Sequence, residues 1–290
     1  MFGPNPDIKI NHEVSYSHRD TQFINTYRDL KTELSEKFKL ADFNIALIPG
    51  SATLGIEASI ASTRRRIEVI PPKGKFHKRW AEIALRENPL KNSSSSGEVL
   101  KLACTLETSS STYYSGGDIC DCVSSFPYYP IPSEAKIFIS CSNKQLGGLP
   151  GIAIVGIRRG FESLLGGGRN FSVLNLGLHL EYSNLNQTLT TASPLVFKDL
   201  LDRVRVFDLE DLAYRIESNS SILCEIFQDS IVGDLKSPAI TIPKSEVPYE
   251  IASRWQLYGL NSNSPYYQFF TYSGDNSQYV EFAKELSDGS

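Results

Sequence analysis

The sequence has no excess of basic residues. Its 290 residues include 29 Lys and Arg against 33 Asp and Glu, a formal net charge of -4. A nucleic-acid binder needs cations to neutralise phosphates, so that class is not expected. The one basic run, Arg64, Arg65 and Arg66, reads as a solvated face or strand edge. Long apolar runs are also missing. No stretch reaches the ~18 apolar residues that a membrane-spanning helix needs. The opening segment MFGPNPDIKI has neither an apolar core nor a cleavage site, so no signal peptide is expected. Cysteine occurs five times, an odd count, and Cys120 and Cys122 lack the paired C-x-x-C sets of a zinc site. Buried free thiols in a cytoplasmic protein are the expectation. No two of the four histidines have metal-ligand spacing, so no metal is expected.

What is present is the composition of an ordinary globular protein, 41% apolar and 21% charged. The length suits one large α/β domain with a smaller one appended. The spacing of Phe23, Tyr27, Leu30, Leu34 and Phe38 predicts a helix over 21–39, with Asp20 or Thr21 as its cap. A strand-length apolar run, 43–48, leads through Pro49-Gly50-Ser51-Ala52-Thr53 into a helix of small residues over 54–62. A strand over 67–70, a turn at Pro71-Pro72-Lys73-Gly74 and a helix over 78–87 follow. The serine-rich tract 92–97 reads as a loop.

Next come apolar strands over 99–105, up to Cys120, over 136–141 and over 152–157. They are apolar enough to be covered on both faces, which suits a mainly parallel sheet between helices. Gly166 to Gly168 reads as a hinge or turn, and helices are expected over 173–186 and 195–204. The remainder alternates helix 209–228, strand 239–242, helix 247–258, strand 268–272 and helix 277–286. This order predicts a compact second domain, with 14–204 forming the large domain and 205–290, joined by 1–13, the small one.

Three places carry chemistry. Gly50-Ser51-Ala52-Thr53 joins a strand to a helix, where small residues let an anion reach free N–H groups; a plain tight turn would look the same. Asp121 ends an apolar strand, where open α/β sheets bind ligands; an Asx turn is the alternative. Lys144 follows a strand and precedes Leu146-Gly147-Gly148-Leu149-Pro150-Gly151, although a single lysine is by default a surface residue. Together they offer an amine, a phosphate cradle and a carboxylate. These are the parts that a pyridoxal 5'-phosphate (PLP) site requires, along with an apolar plate for the ring.

The segment Ser140-Cys141-Ser142-Asn143-Lys144-Gln145-Leu146-Gly147-Gly148-Leu149-Pro150-Gly151 resembles the S-x-S-[NQ]-K-x-L-x-G-P-P-G signature of the class V aminotransferases. Its N-K segment is similar to that of the 2-aminoethylphosphonate and alanine-glyoxylate transaminase branch. The resemblance implies PLP fold type I, aspartate-aminotransferase-like: an α/β fold with a mainly parallel central sheet, helices on both faces and a small α+β C-terminal domain. It implies that Lys144 forms the aldimine and moves protons at the substrate α-carbon, with Ser142 at the phosphate and Asn143 beside it. Asp121-Cys122-Val123-Ser124-Ser125-Phe126 resembles the D-x-[VM]-S-S block, which makes Asp121 the partner of the ring nitrogen and Val123 a packing residue under the ring. Gly50-Ser51-Ala52-Thr53, followed by Glu57-Ala58, resembles the phosphate turn and assigns Ser51, Ala52 and Thr53 to the cofactor. Gly74 to Trp80 resembles the block that supplies a ring-stacking aromatic, here Phe76. Glu107-Thr108-Ser109-Ser110 resembles the block whose hydroxyl, Thr108 or Ser109, meets the phenolic oxygen. Gln187-Thr188 resembles a pair that reaches the phosphate of the neighbouring subunit, so a homodimer is expected. Gly3-Pro4-Asn5-Pro6 and His18-Arg19 resemble elements near the substrate entrance.

The resemblance covers roughly residues 3 to 195 and is only architectural beyond. The connections before Glu107 and between Ser111 and Asp121 are short for the family. The family's carboxylate-binding arginine is also missing: the region reads Gln268-Phe269-Phe270-Thr271-Tyr272-Ser273-Gly274, with no arginine after Arg254. A charged bidentate fork is worth more than a generic contact, so its loss points to a substrate without the usual carboxylate or one held differently. Arg19, Lys75, Arg79 and Arg254 are candidate substitutes, and His18 and His77 fall in matched blocks. The expected activity is amino transfer from a small amino donor to a keto or aldehyde acceptor. A PLP-dependent lyase or desulfurase and a degenerate non-catalytic homologue are the alternatives. A desulfurase needs a cysteine on a mobile loop, and none of the five has that setting.

Overall fold

The structure, a computed structural model, describes residues 16–63, 65–70, 74–88, 98–166 and 172–288. The Gly3-Pro4-Asn5-Pro6 element, the 1–13 portion of the small domain, His12, Arg64, Pro71-Pro72-Lys73, the tract 92–97 and Gly167-Gly168 lie outside the described residues.

The chain opens with α1 (Thr21–Lys37), whose buried stripe is Phe23, Tyr27, Leu30 and Leu34, the spacing expected for one face of a helix. Strand β1 (Phe43–Pro49) leads into α2 (Ala52–Ser62); β2 (Arg66–Val69) precedes α3 (Lys75–Glu87). Then come β3 (Val99–Cys104) and a short ribbon of β4 (Leu106–Glu107) and β5 (Thr112–Tyr113). Strands β6 (Ile119–Asp121), β7 (Ile137–Cys141) and β8 (Ile152–Arg158) complete the central sheet, followed by α4 (Leu176–Asn184) and α5 (Pro194–Val206). Last come α6 (Leu209–Phe227), β9 (Ala239–Pro243), α7 (Tyr249–Arg254), β10 (Tyr266–Phe270) and α8 (Asn276–Asp288).

The six-stranded sheet runs β1-β8-β7-β6-β3-β2. The β2–β3, β3–β6 and β6–β7 pairs are parallel, as expected. Strand β8 is antiparallel to both of its neighbours, so the sheet is mixed and mainly parallel. The reason is the connection. Residues 142–151 return the chain directly from β7 to β8, and a link without a crossover helix joins antiparallel strands. Alternate side chains face opposite layers. Ala46 and Ile48 of β1 join α2, α3 and α4 in one cluster, while Ile45 and Leu47 join α1 and α5 in another. A third apolar cluster links α6, α7, α8, β9 and β10 through Leu223, Ile251, Phe282, Ile240 and Phe269.

Two helices are shorter than their apolar periodicity suggests. Helix α4 begins at Leu176 because Asn175 caps it, its side chain accepting from the Leu178 N–H at 3.2 Å. It ends before Asn186, which adopts φ +55°. Helix α7 covers only 249–254: Pro248 precedes it and Gln256 turns to φ +48° just beyond it. The β4–β5 ribbon has no alternating pattern and was not expected.

Candidate active site

The parallel strands β3, β6 and β7 end side by side at Cys104, Asp121 and Cys141, with Cys104 and Asp121 in direct register. Ligands of open α/β sheets gather at these carboxyl ends. A cavity of about 540 Å³ opens there. Asp121 and Lys144 both line it, as do Gly50, Ser51, Ala52 and Thr53 at the start of α2.

Each part of the cavity has a structural cause. Gly50 leaves β1 at φ +145°, and its N–H donates to the Gly151 carbonyl at 2.8 Å, tying the end of β1 to the start of β8. A side chain at Gly50 would meet Leu54. Ser51 is the N-cap of α2 but makes no side-chain cap bond. The Leu54 and Gly55 N–H groups donate to the Ser51 carbonyl, and Ala52 and Thr53 ahead of them line the cavity, where the start of a helix would stabilise an anion.

Asp121 is only 4% exposed. Its Oδ1 accepts from the Val123 N–H at 3.1 Å and its Oδ2 from Trp80 Nε1 at 2.8 Å. Burial pushes its carboxyl up to about 6, with buried Glu107 adding to the rise while the Val123 and Trp80 N–H groups oppose it. A cation or a protonated ring nitrogen placed against this carboxyl would remove that penalty. Lys144 is half-buried, and its Nζ lies 5.2 Å from the centre of the Phe270 ring. Burial lowers its pKa, with Cys141 and Asp121 partly offsetting the effect. A lowered pKa raises the fraction of neutral, nucleophilic amine.

Gln145 holds the Asp121 and Lys144 segments together. It is buried; its Oε1 accepts from the Tyr128 N–H at 2.9 Å, and its Nε2 donates to the Ser124 carbonyl at 2.7 Å. Phe76 and Trp80 are stacked at 6.2 Å between centroids and line one wall. The Phe76 N–H donates to Glu107 Oε2 at 3.1 Å, which fixes the start of α3 against the ribbon. Thr108, Ser109, Val123 and Asn143 also line the cavity. The Ser109 hydroxyl already donates to Glu107 Oε1 at 2.6 Å, so its proton is committed there.

Several expected residues are placed elsewhere. Ser142 is not among the residues that line the cavity. Its hydroxyl donates to the Leu149 carbonyl at 2.6 Å and accepts from the Ile152 N–H at 3.3 Å, shaping the turn that carries Lys144. His18 packs edge-on to Phe23, and Arg79 lies over Trp80. Arg19 donates to Gln187 Oε1 at 3.2 Å on an exposed surface, and the Thr188 hydroxyl donates to the Thr190 carbonyl. None of these five lines this chain's cavity. Arg254 pairs with Glu285, and His77 Nδ1 lies 3.1 Å from the Ile70 carbonyl.

The structure adds Trp80, Lys75, Tyr258, Gln268 and Phe270 to the lining. Trp80 stands four residues after Phe76, on the same face of α3, and that spacing was the available signal. Lys75 had been weighed only as a substitute cation.

No protein-family model matches the sequence, and no curated protein does. Solved structures do match. An aspartate aminotransferase of subgroup IV from Thermus thermophilus superposes with a TM-score of 0.80 at 16% identity, covering 99% of this chain and 98% of that one. The chain has the fold of the PLP type I aminotransferases. The alanine-glyoxylate aminotransferase of Nostoc sp. gives a TM-score of 0.76 at 16% identity, with 99% and 94% covered. A PLP-bound phosphoserine aminotransferase from Trichomonas vaginalis gives 0.72 at 15%, with 95% and 90% covered. On this aminotransferase fold the cavity lies at the ends of β3, β6 and β7. Among the described residues no helix is long and apolar enough to cross a membrane.

Proposed function

We propose that the protein is a PLP-dependent aminotransferase that moves an amino group from a small amino donor to a keto or aldehyde acceptor. The observation that carries this reading is that Lys144, Asp121 and the N-terminus of α2 line one cavity. The residues fit the cofactor. The uncapped start of α2 suits its phosphate, buried Asp121 suits its ring nitrogen, and Phe76 and Val123 flank the space between. When bound, PLP supplies an aldehyde that condenses with amines and a ring that accepts the electron pair left when a Cα–H bond breaks.

The chain's own residues account for the rest. Lys144 Nζ, held at low basicity by burial, would hold the cofactor's aldehyde carbon as a neutral amine and, when free, would take and return a proton at the substrate carbon. Asp121 would hold a proton at the ring nitrogen. Trp80 and Val123 hold its two oxygens so that it does not turn away. Thr108 would donate to the ring's oxygen, and Ser51, Ala52 and Thr53 would hold the phosphate. The setting of the cysteines favours transfer over sulfur abstraction: Cys104, Cys120, Cys122 and Cys141 are buried, and half-buried Cys224 lies outside the cavity lining.

We also assign Gln187 and Thr188 to the cavity of a second copy in a homodimer; the position of Gln187, bonded to Arg19 on an exposed surface, supports this for Gln187. We propose the division into 14–204 and 205–290 with 1–13; the separate apolar cluster around Phe269 and Phe282 supports its 205–290 part. The test of function is single-turnover spectroscopy of the purified chain with PLP. An amine donor should discharge the visible cofactor band, and a keto or aldehyde acceptor should restore it. Loss of the band with release of pyruvate or sulfide, and no recovery on adding an acceptor, would contradict transfer.

A further inference from the structure

Beside the cavity lies a second, wider lobe of about 960 Å³, and the two share Lys75, Ser109, Tyr258 and Gln268. Gln268 sits on β10 at their junction. Its Nε2 donates to the Thr108 carbonyl at 2.7 Å. That partner is an acceptor only, so it fixes which end of the amide is nitrogen. The same carbonyl also accepts from the Thr241 hydroxyl at 2.7 Å, so it is held in place from the β9 side. Gln268 is therefore left with a carbonyl oxygen and one remaining N–H, both neutral. A carboxylate is an acceptor and finds at most one neutral donor there. A hydroxyl, both donor and acceptor, can be matched.

The rest of the lobe has the same character. Ser253, Gln256, Asn261 and Asn263 line it with neutral donors and acceptors, and the half-open ring of Tyr258, 46% exposed, supplies a flat apolar face. Among the described residues Lys75 is the one charged side chain lining it. Lys75 is solvent-exposed at the start of α3, where water and salt weaken its pull on an anion.

The geometry points to a substrate that is a neutral amine bearing several hydroxyl groups, an amino sugar in chemical class, with its hydroxyls in the Gln268–Tyr258 lobe. This inference rests on the PLP reading above. A site built to hydrogen-bond hydroxyls discriminates strongly against compounds that lack them.

The test uses the purified full chain with PLP and three probe amines: D-glucosamine, L-alanine and 2-aminoethylphosphonate. Glucosamine should perturb the cofactor band at a concentration at least about tenfold below the other two. Independently of turnover, saturation-transfer NMR should show binding of methyl α-D-glucopyranoside, which has neither amine nor free carbonyl, and none of propionate. Gln268→Arg should invert both preferences, and Tyr258→Ala should weaken the glucoside signal. Preference for alanine or aminoethylphosphonate, response to none of the three amines, or a Gln268→Arg protein with unchanged preference would each overturn the inference. Should Gln268→Arg fail to fold, the wild-type comparison decides alone. Absence of any cofactor band is a different result: it defeats the PLP reading, and the inference falls with it.

Discussion

Trp80 Nε1 donates to Asp121 Oδ2 at 2.8 Å, joining a residue of α3 to the carboxyl end of β6. The contact is buried, and it leaves Asp121 held at both oxygens by N–H donors. Trp80→Phe keeps the aromatic wall but removes the donor. A lost hydrogen bond to a charged group is worth roughly 1.5–3 kcal/mol. PLP affinity, read by titration of the cofactor band, should fall about ten- to a hundredfold. The Asp121 carboxyl should also rise further, because an N–H that holds it down has gone.

Asp121 makes the stability of the cofactor-free protein depend on pH. Its carboxyl stands at about 6 in the native state against an ordinary 3.8, mainly through burial. Below both values the native and unfolded states each hold the proton. Between them the native state keeps a proton that the unfolded chain has lost, so stability falls as pH rises, and above about 6 the loss is complete. Asp121→Asn should flatten this slope and stabilise the cofactor-free protein at pH 7 by up to ~3 kcal/mol. Denaturant titrations at pH 4 and pH 7 measure the difference, which should be small at the lower pH.

Gln145 pairs with both the Tyr128 N–H and the Ser124 carbonyl. Gln145→Leu leaves the buried Ser124 carbonyl without its partner, at roughly 1–3 kcal/mol, and also strips the half-buried Tyr128 N–H of its acceptor. Gln145→Glu keeps the acceptor for Tyr128 but sets an oxygen against the Ser124 carbonyl. Both variants should melt lower than wild type. Both should also retain less PLP after gel filtration, because the segments bearing Asp121 and Lys144 lose their tie.

Gly74 leaves no room for a side chain. A methyl group there would collide with the Glu107 carboxyl, which is buried and already accepts from the Phe76 N–H and the Ser109 hydroxyl. The backbone at Gly74 is extended, so the obstacle is space and not conformation. Gly74→Ala should displace Glu107 and cost about 1–3 kcal/mol in chemical denaturation. Gly160→Ala is a useful contrast in space alone: a methyl there meets nothing, although φ +89° adds backbone strain.

Elements with strong internal periodicity were legible in the sequence. The stripe Phe23, Tyr27, Leu30 and Leu34 gave α1, and the apolar runs gave β1, β3, β7 and β8 within a residue or two. The direction of β8 was not legible, because strand pattern is the same in both senses and only the direct return over 142–151 decides it. Asp121, Lys144 and the α2 turn stood out because their residue types are unusual at strand ends, and the structure places all three on one cavity. The two internal partners of the Ser142 hydroxyl, Leu149 and Ile152, were not legible, because a hydroxyl two residues before Lys144 looks available until they are seen. Gln145 and Gln268 were invisible for the converse reason. A neutral amide acquires its meaning from the carbonyl it meets, Ser124 for one and Thr108 for the other, both distant in sequence.

The most direct measurement is borohydride reduction of the PLP-treated protein, followed by mass spectrometry of its peptides. A phosphopyridoxyl group on the peptide containing Lys144, absent from the Lys144→Ala protein, is the expected result. Label on other lysines with Lys144 unmodified, or no label at all in a folded protein, would contradict the assignment.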